Sequence, residues 1–362
     1  MLSGSIVSRH LVYFSTLVRE RVVDYLSTRY EDDFERLYLR GNVVPDRLPL
    51  FHEFLRGYHR AAFIENVHLR PELGFARGWD HFENFETRKA EEGVPGNAAA
   101  INRRVFEHLD AESGTPALVW IHYFDVHWPY GPVEKHGVEF LAESFNELPE
   151  PYTHDSLDRM VGGTHSPSSR LATVLLPGIY RAGLRAFDGS LADLIDGLVR
   201  RELFDRSMII LSSDHGDEFF EHGRFGHGHN LFDTVIRIPL LIKMPGQQRE
   251  MRHHEVVSLV DVGPTILDVV RVPAPEFGDG RSLLPMIEGE DGSDRIAVSE
   301  VVNLEFDNLK AIVSGDHKLI RRAVPDGFQD RLFEVDDDFE ALTGSGSPPR
   351  IEALSQLLLR EV

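Results

Sequence analysis

The 362-residue chain contains no cysteine. Disulfides, thiolate metal ligands and a cysteine nucleophile are excluded by that absence alone. No apolar run approaches the eighteen or so residues that a membrane-spanning helix needs. The first residues, Met1-Leu-Ser-Gly-Ser-Ile-Val-Ser-Arg-His10, hold neither a charged segment leading into an apolar one nor a cleavage site. The expectation is a cytoplasmic protein with no membrane segment. Lysine is scarce: Lys89, Lys135, Lys243, Lys310 and Lys318 are the only five among 38 basic residues, and the rest are arginine. The formal charge of −21 excludes a broad nucleic-acid footprint, so no nucleic-acid partner is expected. An acidic, lysine-poor surface also suits a salt-adapted, halophilic organism. Stability that fails to rise between low and molar salt would refute that expectation.

What is present is an ordinary globular composition, 42% apolar and 27% charged, in a chain long enough to bury a large core. The run Ser207-Met-Ile-Ile-Leu211 leads directly into Ser212-Ser-Asp214-His215-Gly216-Asp217. Short, apolar and β-branched, it reads as a buried strand, most naturally a central one in a parallel sheet. Ala117–Tyr123 and Ile238–Lys243 read as further strands, and Ala61–Ile64 as a short one. Residues 1 to about 48 read as mostly helical, and Leu48–Tyr58 as a helix ending at Gly57. Asn97–Leu109 also reads as a helix. Apolar positions from Ile179 to Val199 recur at helical spacing, a long crossover into the strand at Met208. Val260–Val270 reads as a helix entered through Asp261 and Pro264. After about residue 288 the texture changes. Ile296–Val301, Leu309–Val313, His317–Arg321 and Arg331–Val335 read as a small antiparallel sheet closed by a helix over Ile351–Glu361. The expected fold is one large α/β domain over residues 1–288, with a mostly parallel central sheet, and a small antiparallel subdomain over 289–362.

In open α/β sheets ligands collect beyond the carboxyl ends of the strands, where Asp214 and His215 emerge. Gly216 lets the backbone turn where a side chain would crowd that site. His222, His227 and His229 follow closely in Glu221-His-Gly-Arg-Phe-Gly-His-Gly-His-Asn230. Pro129 stops the strand at Ala117–Tyr123 and displays His127 at the same sheet edge. A lone histidine beside a tryptophan is usually a packed or surface imidazole; the matching position at a second strand end makes His127 a site candidate. For His222, His227 and His229 the competing reading is a solvated, glycine-rich loop, and it weighs most at His222. Taken together, these residues read as one wall of a metal-dependent hydrolase site.

Five stretches in order, His122-Tyr-Phe-Asp-Val-His127-Trp-Pro-Tyr130, Tyr180 to Asp188, Ser212 to Asp217, Gly226-His-Gly-His-Asn-Leu-Phe-Asp233 through Pro239, and Val257 to Thr265, resemble the sulfatase family of the alkaline phosphatase superfamily. His317-Lys-Leu-Ile320 and Arg331-Leu-Phe-Glu334 also resemble it. The resemblance implies an alkaline-phosphatase-like α/β/α sandwich and hydrolysis of a sulfate ester, small-molecule or carbohydrate. It implies that Asp214 and His215 ligate a divalent cation, usually calcium, with manganese or zinc open because of the imidazole. It further implies that His127 contacts the sulfate oxygens and that His227, or His229 by spacing, stands near the leaving oxygen. Phosphodiesterases and phosphonate monoester hydrolases of the same superfamily are the alternative. Members of the family also carry an early strand ending in paired aspartates. They then carry Cys or Ser, any residue, Pro, a small residue and Arg, whose first residue becomes a formylglycine nucleophile. Neither element is present. His165-Ser-Pro-Ser-Ser-Arg170 does not fit, because the residue two before Pro167 is His165. Met1 to His10 is similar to the segment just after that motif. The chain is therefore expected to begin downstream of its nucleophile and to turn over weakly or not at all, as a truncated, non-catalytic product would.

Overall fold

The computed structural model describes residues 44, 48–66, 68–85, 97–128, 130, 170–273, 279–290, 292–301, 309–324, 326–335, 340–342, 352–354 and 356. In chain order these form β1 (His59–Ile64), β2 (His81–Asn84), α1 (Ala98–Ala111), β3 (Ala117–His122) and α2 (Arg170–Arg200). Next come β4 (Ile209–Ser212), a two-residue hairpin of β5 (Glu218–Phe219) and β6 (Phe225–Gly226), α3 (Asp233–Ile236) and β7 (Leu240–Lys243). Then follow α4 (Val262–Val269), α5 (Leu284–Ile287), β8 (Ile296–Val301), β9 (Leu309–Ser314), β10 (His317–Val324), β11 (Gly327–Val335) and β12 (Glu340–Leu342).

Alternation along β3 sets the layers, since successive strand side chains point to opposite faces. Val119 and Ile121 pack with Phe63, Ile101, Val105 and Leu194, which belong to β1, α1 and α2. Leu118 points the other way, against Phe51, Leu55 and Leu267, the last on α4. Helices therefore cover both faces of the parallel sheet β2-β1-β3. Phe63, Ile64 and Ile101 are fully buried, and each such side chain stabilises the fold by roughly 1.5–3 kcal/mol. α1 begins where the Asn97 side chain accepts the Ala100 N–H at 2.9 Å, a cap that the sequence signals. Gly197 lets α2 lie directly on the Phe106 ring: a Cβ there would fall 2.0 Å from Phe106 Cζ. Ile64 stands opposite both Asn84 and His122, so the three parallel strands deliver their carboxyl ends to one edge.

β8 to β12 form an antiparallel sheet in the order β12-β11-β10-β9-β8. It closes on the core through Leu231, Ala311, Ile320 and Phe333. The fully buried Lys318 reaches Asp233 at 2.8 Å. Leu354, from the short described part of the terminal helix, packs on the other face of that sheet with Ile312, Leu319 and Leu332.

Three expectations differ from what is seen. Among the described residues β4 pairs only with β7, antiparallel, with Ile210 opposite Ile242. Its apolar run reports burial, which a strand acquires equally from either kind of neighbour. The helix expected over Leu48–Tyr58 is a single 3-10 turn, Phe51–Phe54, because Phe51 and Leu55 anchor it on α4 and the chain turns at Gly57 (φ 91°) into β1. The crossover helix starts earlier than its apolar periodicity, at Arg170, and runs through Pro177. The helical reading of residues 1–48 falls almost wholly outside the described residues, as do His165 to Ser169 and most of the terminal helix.

Candidate active site

Beyond the end of β3 the chain is anchored by Asp125, whose carboxylate accepts the Ala98 N–H at 3.0 Å and so ties this loop to the start of α1. The turn then presents His127, with its N–H bonded to the Phe124 carbonyl at 3.0 Å and its ring stacked on Phe124 at 4.0 Å. The end of β4 is fixed in turn by Ser212 Oγ, which donates to the Pro239 carbonyl at 2.8 Å. Asp214 and His215 follow, and Gly216 donates its N–H to the Val235 carbonyl at 2.8 Å. A Cβ at Gly216 would lie 2.3 Å from the Thr234 carbonyl oxygen, so close backbone approach, and not an unusual φ, is what requires glycine there.

The hairpin of β5 and β6 carries the histidine-rich loop. Glu218, fully buried, organises it. This carboxylate accepts from His229 Nε2 at 3.0 Å, lies 3.2 Å from His222 Nδ1, and bonds the Asn230 amide. Burial pushes the Glu218 carboxyl up, but the hydrogen bonds from His229 and the His222 N–H outweigh it and hold it below the ordinary range. Tyr130 meets Tyr180 edge to face, Tyr180 packs on Phe219 at 5.3 Å, and Phe219 and Trp128 both meet Phe225 edge to face, Trp128 at 5.0 Å.

These elements bring His127, His215 and His227 together. One ring nitrogen of each lies within 4.8 Å of the others, the one such histidine or carboxylate group of three among the described residues. Each ring commits its Nδ1 in the same way. His127 Nδ1 meets the Trp128 carbonyl at 2.5 Å, His215 Nδ1 the Gly216 carbonyl at 3.0 Å, and His227 Nδ1 an Asp217 oxygen at 2.6 Å. An oxygen acceptor requires Nδ1 to carry the proton, which leaves each Nε2 with its lone pair. This is the arrangement that metal-ligating imidazoles adopt. Asp214 stands alongside, more than half exposed, with Oδ1 3.8 Å from His215 Nε2. Burial, opposed by the Trp128 carbonyl, holds His127 below the usual histidine range and hence neutral.

Asp217 completes the site. Its side chain is 6% exposed, and besides His227 it accepts the Tyr130 hydroxyl at 2.7 Å. Burial favours its neutral form, but the bonds from His227 and Tyr130 prevail and the carboxyl titrates below its ordinary range. Burial first, and the Asp217 carboxylate second, push the Tyr130 hydroxyl far up, so it remains a donor. His122 is half-buried, with its buried Nδ1 meeting no partner and Asp214 and His215 near enough to act on its charge.

Of the residues singled out in the sequence, His127, His215 and His227 converge and Asp214 flanks them. His229 does not join: it is 7% exposed and turned onto Glu218. His222 stacks on Phe232 at 3.7 Å. The sequence alone assigns no role to Asp217, Glu218 or Tyr130. Two adjacent acids directly before a histidine-rich loop are the signal that points to the first two.

The donors fit a divalent cation. One carboxylate and imidazole nitrogens suit manganese or zinc better than calcium, which takes six to eight oxygens.

Known proteins resemble this chain in sequence and in fold. A choline-sulfatase of Rhizobium meliloti (strain 1021) is 30% identical over 174 residues, 47% of this chain and 33% of that protein. Arylsulfatase K of Homo sapiens is 36% identical over 107 residues, 30% of this chain and 20% of that protein. The chain thus spans a third or less of the length of these curated relatives. In fold it matches a phosphonate monoester hydrolase from Silicibacter pomeroyi, with a TM-score of 0.69 at 17% identity over 99% of this chain and 83% of that one. It also matches a protein solved with its substrate D-glucosamine-2-N,6-O-disulfate, with a TM-score of 0.65 at 19% identity over 88% and 82%. The family described as Sulfatase matches residues 48–272, more than half of the chain; by that match the chain belongs to the sulfatase family.

Proposed function

We propose that this chain forms the binding and proton-transfer wall of a sulfate-ester hydrolase acting on a small-molecule or carbohydrate ester. The observation that carries the reading is the convergence of His127, His215 and His227 beside Asp214, in a chain of this family. A divalent cation held at Asp214 and His215 would draw charge from the sulfuryl oxygens. The remaining roles follow from the hydrogen bonds. His227 is the imidazole suited to carry a second proton, because the Asp217 carboxylate on its Nδ1 stabilises the imidazolium. It is therefore assigned to the leaving oxygen as general acid. His127 is neutral before substrate arrives and contacts a sulfuryl oxygen by taking up a proton as the anion binds. Asp217 and Tyr130 orient His227 and carry no substrate contact. No residue of the chain is assigned as the nucleophile, which the resemblance expects to be a formylglycine.

The test is binding of an aryl sulfate monoester to the manganese-loaded chain. His127→Ala and His227→Ala should each weaken it about tenfold or more, some 1.4 kcal/mol. Unchanged affinity in both variants overturns the reading. A phosphonate monoester bound more tightly than the sulfate would favour a phosphonate hydrolase, a second reading that the imidazole at 215 supports.

A further inference from the structure

His127, His215 and His227 come from three separate places in the chain: the loop after β3, the turn after β4 and the loop after β6. The rings of His215 and His227 lie 3.8 Å apart. His127 faces them across the site, 5.1 Å from His227 and 6.1 Å from His215, with its plane turned 70° and 75° from theirs. One ring nitrogen of each meets the others within 4.8 Å. All three rings are half-buried, so the point they surround is reachable from solvent.

Each ring is held from behind. His227 rests on Asp217, which the Tyr130 hydroxyl holds in turn, and His127 and His215 rest on backbone carbonyls. Outer partners of this kind fix the orientation of a ring that binds a metal. Asp214 Oδ1, 3.8 Å from His215 Nε2, lies outside the group of three. The site therefore offers two donor sets that share His215. Asp214 with His215 gives one oxygen and one nitrogen, which suits a hard ion such as manganese that keeps several waters. The three imidazoles suit zinc, which binds imidazole well and needs only four ligands, at ~2.0–2.1 Å. Tetrahedral nitrogens at that bond length stand about 3.3 Å apart, so a limited closure of the rings seats the ion.

We propose that His127, His215 and His227 together form a zinc site whose occupation shuts the ester site. Zinc there takes His215 away from the cation shared with Asp214. It also takes the nitrogens of His127 and His227 that the reading above assigns to the sulfuryl and leaving oxygens, and this closure rests on that reading. With its lone pair on zinc, neither imidazole can carry a proton toward the ester. A sulfate monoester is a weakly basic anion, and coordination to the zinc does not replace the two lost contacts. The same four side chains thus bind the ester when loaded with manganese and exclude it when loaded with zinc.

The first step of the test is calorimetric titration of zinc chloride into the full-length chain after stripping by chelator. One zinc should bind per chain. His127→Ala and His227→Ala should each weaken it at least about tenfold. Asp214→Asn should change it by no more than about threefold, because an exposed charge outside the ligand set contributes little. Far-UV circular dichroism should be unchanged, and where an alanine variant fails to fold, His127→Gln or His227→Gln takes its place. In the second step an aryl sulfate monoester is titrated into the manganese-loaded chain with and without one equivalent of zinc. Zinc should weaken its binding at least about tenfold. No bound zinc, or zinc affinity indifferent to His127 and His227, overturns the site. Zinc held by the three imidazoles with ester affinity intact overturns the closure. Ester that fails to bind even without zinc refutes the proposed function instead, and the zinc titration alone then decides whether the site exists.

Discussion

Asp217→Asn perturbs one charge at nearly constant shape, and its consequences can be worked from the contacts. The carboxylate is 6% exposed and accepts from His227 Nδ1 at 2.6 Å and the Tyr130 hydroxyl at 2.7 Å. A hydrogen bond with an ionised partner contributes about 1.5–3 kcal/mol, against about 1 for a neutral one. Asparagine keeps one good acceptor, and the tyrosine hydroxyl can turn to accept from the amide. The loss is then the charge assistance on two bonds, roughly 1–3 kcal/mol. The sign with pH follows from the depressed carboxyl. Native Asp217 binds its proton less readily than the unfolded chain does. Its contribution is therefore complete above the unfolded value near 4 and is lost as pH falls through the native value. Urea unfolding at pH 7 should show the deficit, and at pH 3 wild type and variant should draw together. In a double-mutant cycle, Asp217→Asn and Tyr130→Phe should couple by about 0.5 kcal/mol or more, as contacting residues do. A coupling of zero, or a deficit as large at pH 3 as at pH 7, would refute the arrangement.

Lys318→Met should lower stability by about 3–5 kcal/mol, because it leaves the Asp233 carboxylate without its buried counter-charge; a denaturant midpoint reports it, and Lys318→Met/Asp233→Leu should recover part of the loss. Glu218→Gln removes the charge that gathers His222, His229 and Asn230. It should cost about 2 kcal/mol at neutral pH, with the difference fading below about pH 4.5, since this carboxyl too is depressed and its stabilisation is lost as pH falls. In Gly216→Ala a methyl group meets the Thr234 carbonyl at 2.3 Å; overpacking of this kind costs about 1–3 kcal/mol, and calorimetry should show cation affinity at Asp214 and His215 reduced about tenfold. Gly197→Ala, against the Phe106 ring, should lose a similar amount of stability while cation affinity is unchanged.

Much of the fold is legible because its signals are local. Ala61–Ile64, Ala117–Tyr123 and Ile238–Lys243 are short apolar runs with turns at their ends, and each contains a strand. Asn97 announces α1 through its cap, and the four short C-terminal segments fall within β8, β9, β10 and β11. Partner choice is not local. The run at Met208 carries the same apolar pattern whether its neighbour runs parallel or antiparallel, and only Leu240–Lys243 alongside it decides. His127 and His215 were legible because each follows a strand end, where an α/β sheet gathers its chemistry. His229 shares the composition of His227 two residues away, and what separates them is Glu218, whose carboxylate claims one imidazole and leaves the other to Asp217. Buried acids that hold histidines from behind look, in sequence, like surface charge.

The central claim is that Asp214, His215, His127 and His227 act as one cation-dependent anion site. It is tested most directly by titrating an aryl sulfate monoester into the chain, first stripped by chelator and then reloaded with manganese, in wild type and in Asp214→Asn/His215→Ala. The account predicts measurable binding only by the reloaded wild type, with the variant at least about tenfold weaker. Ester binding that ignores the cation, or that survives intact in the variant, would contradict it.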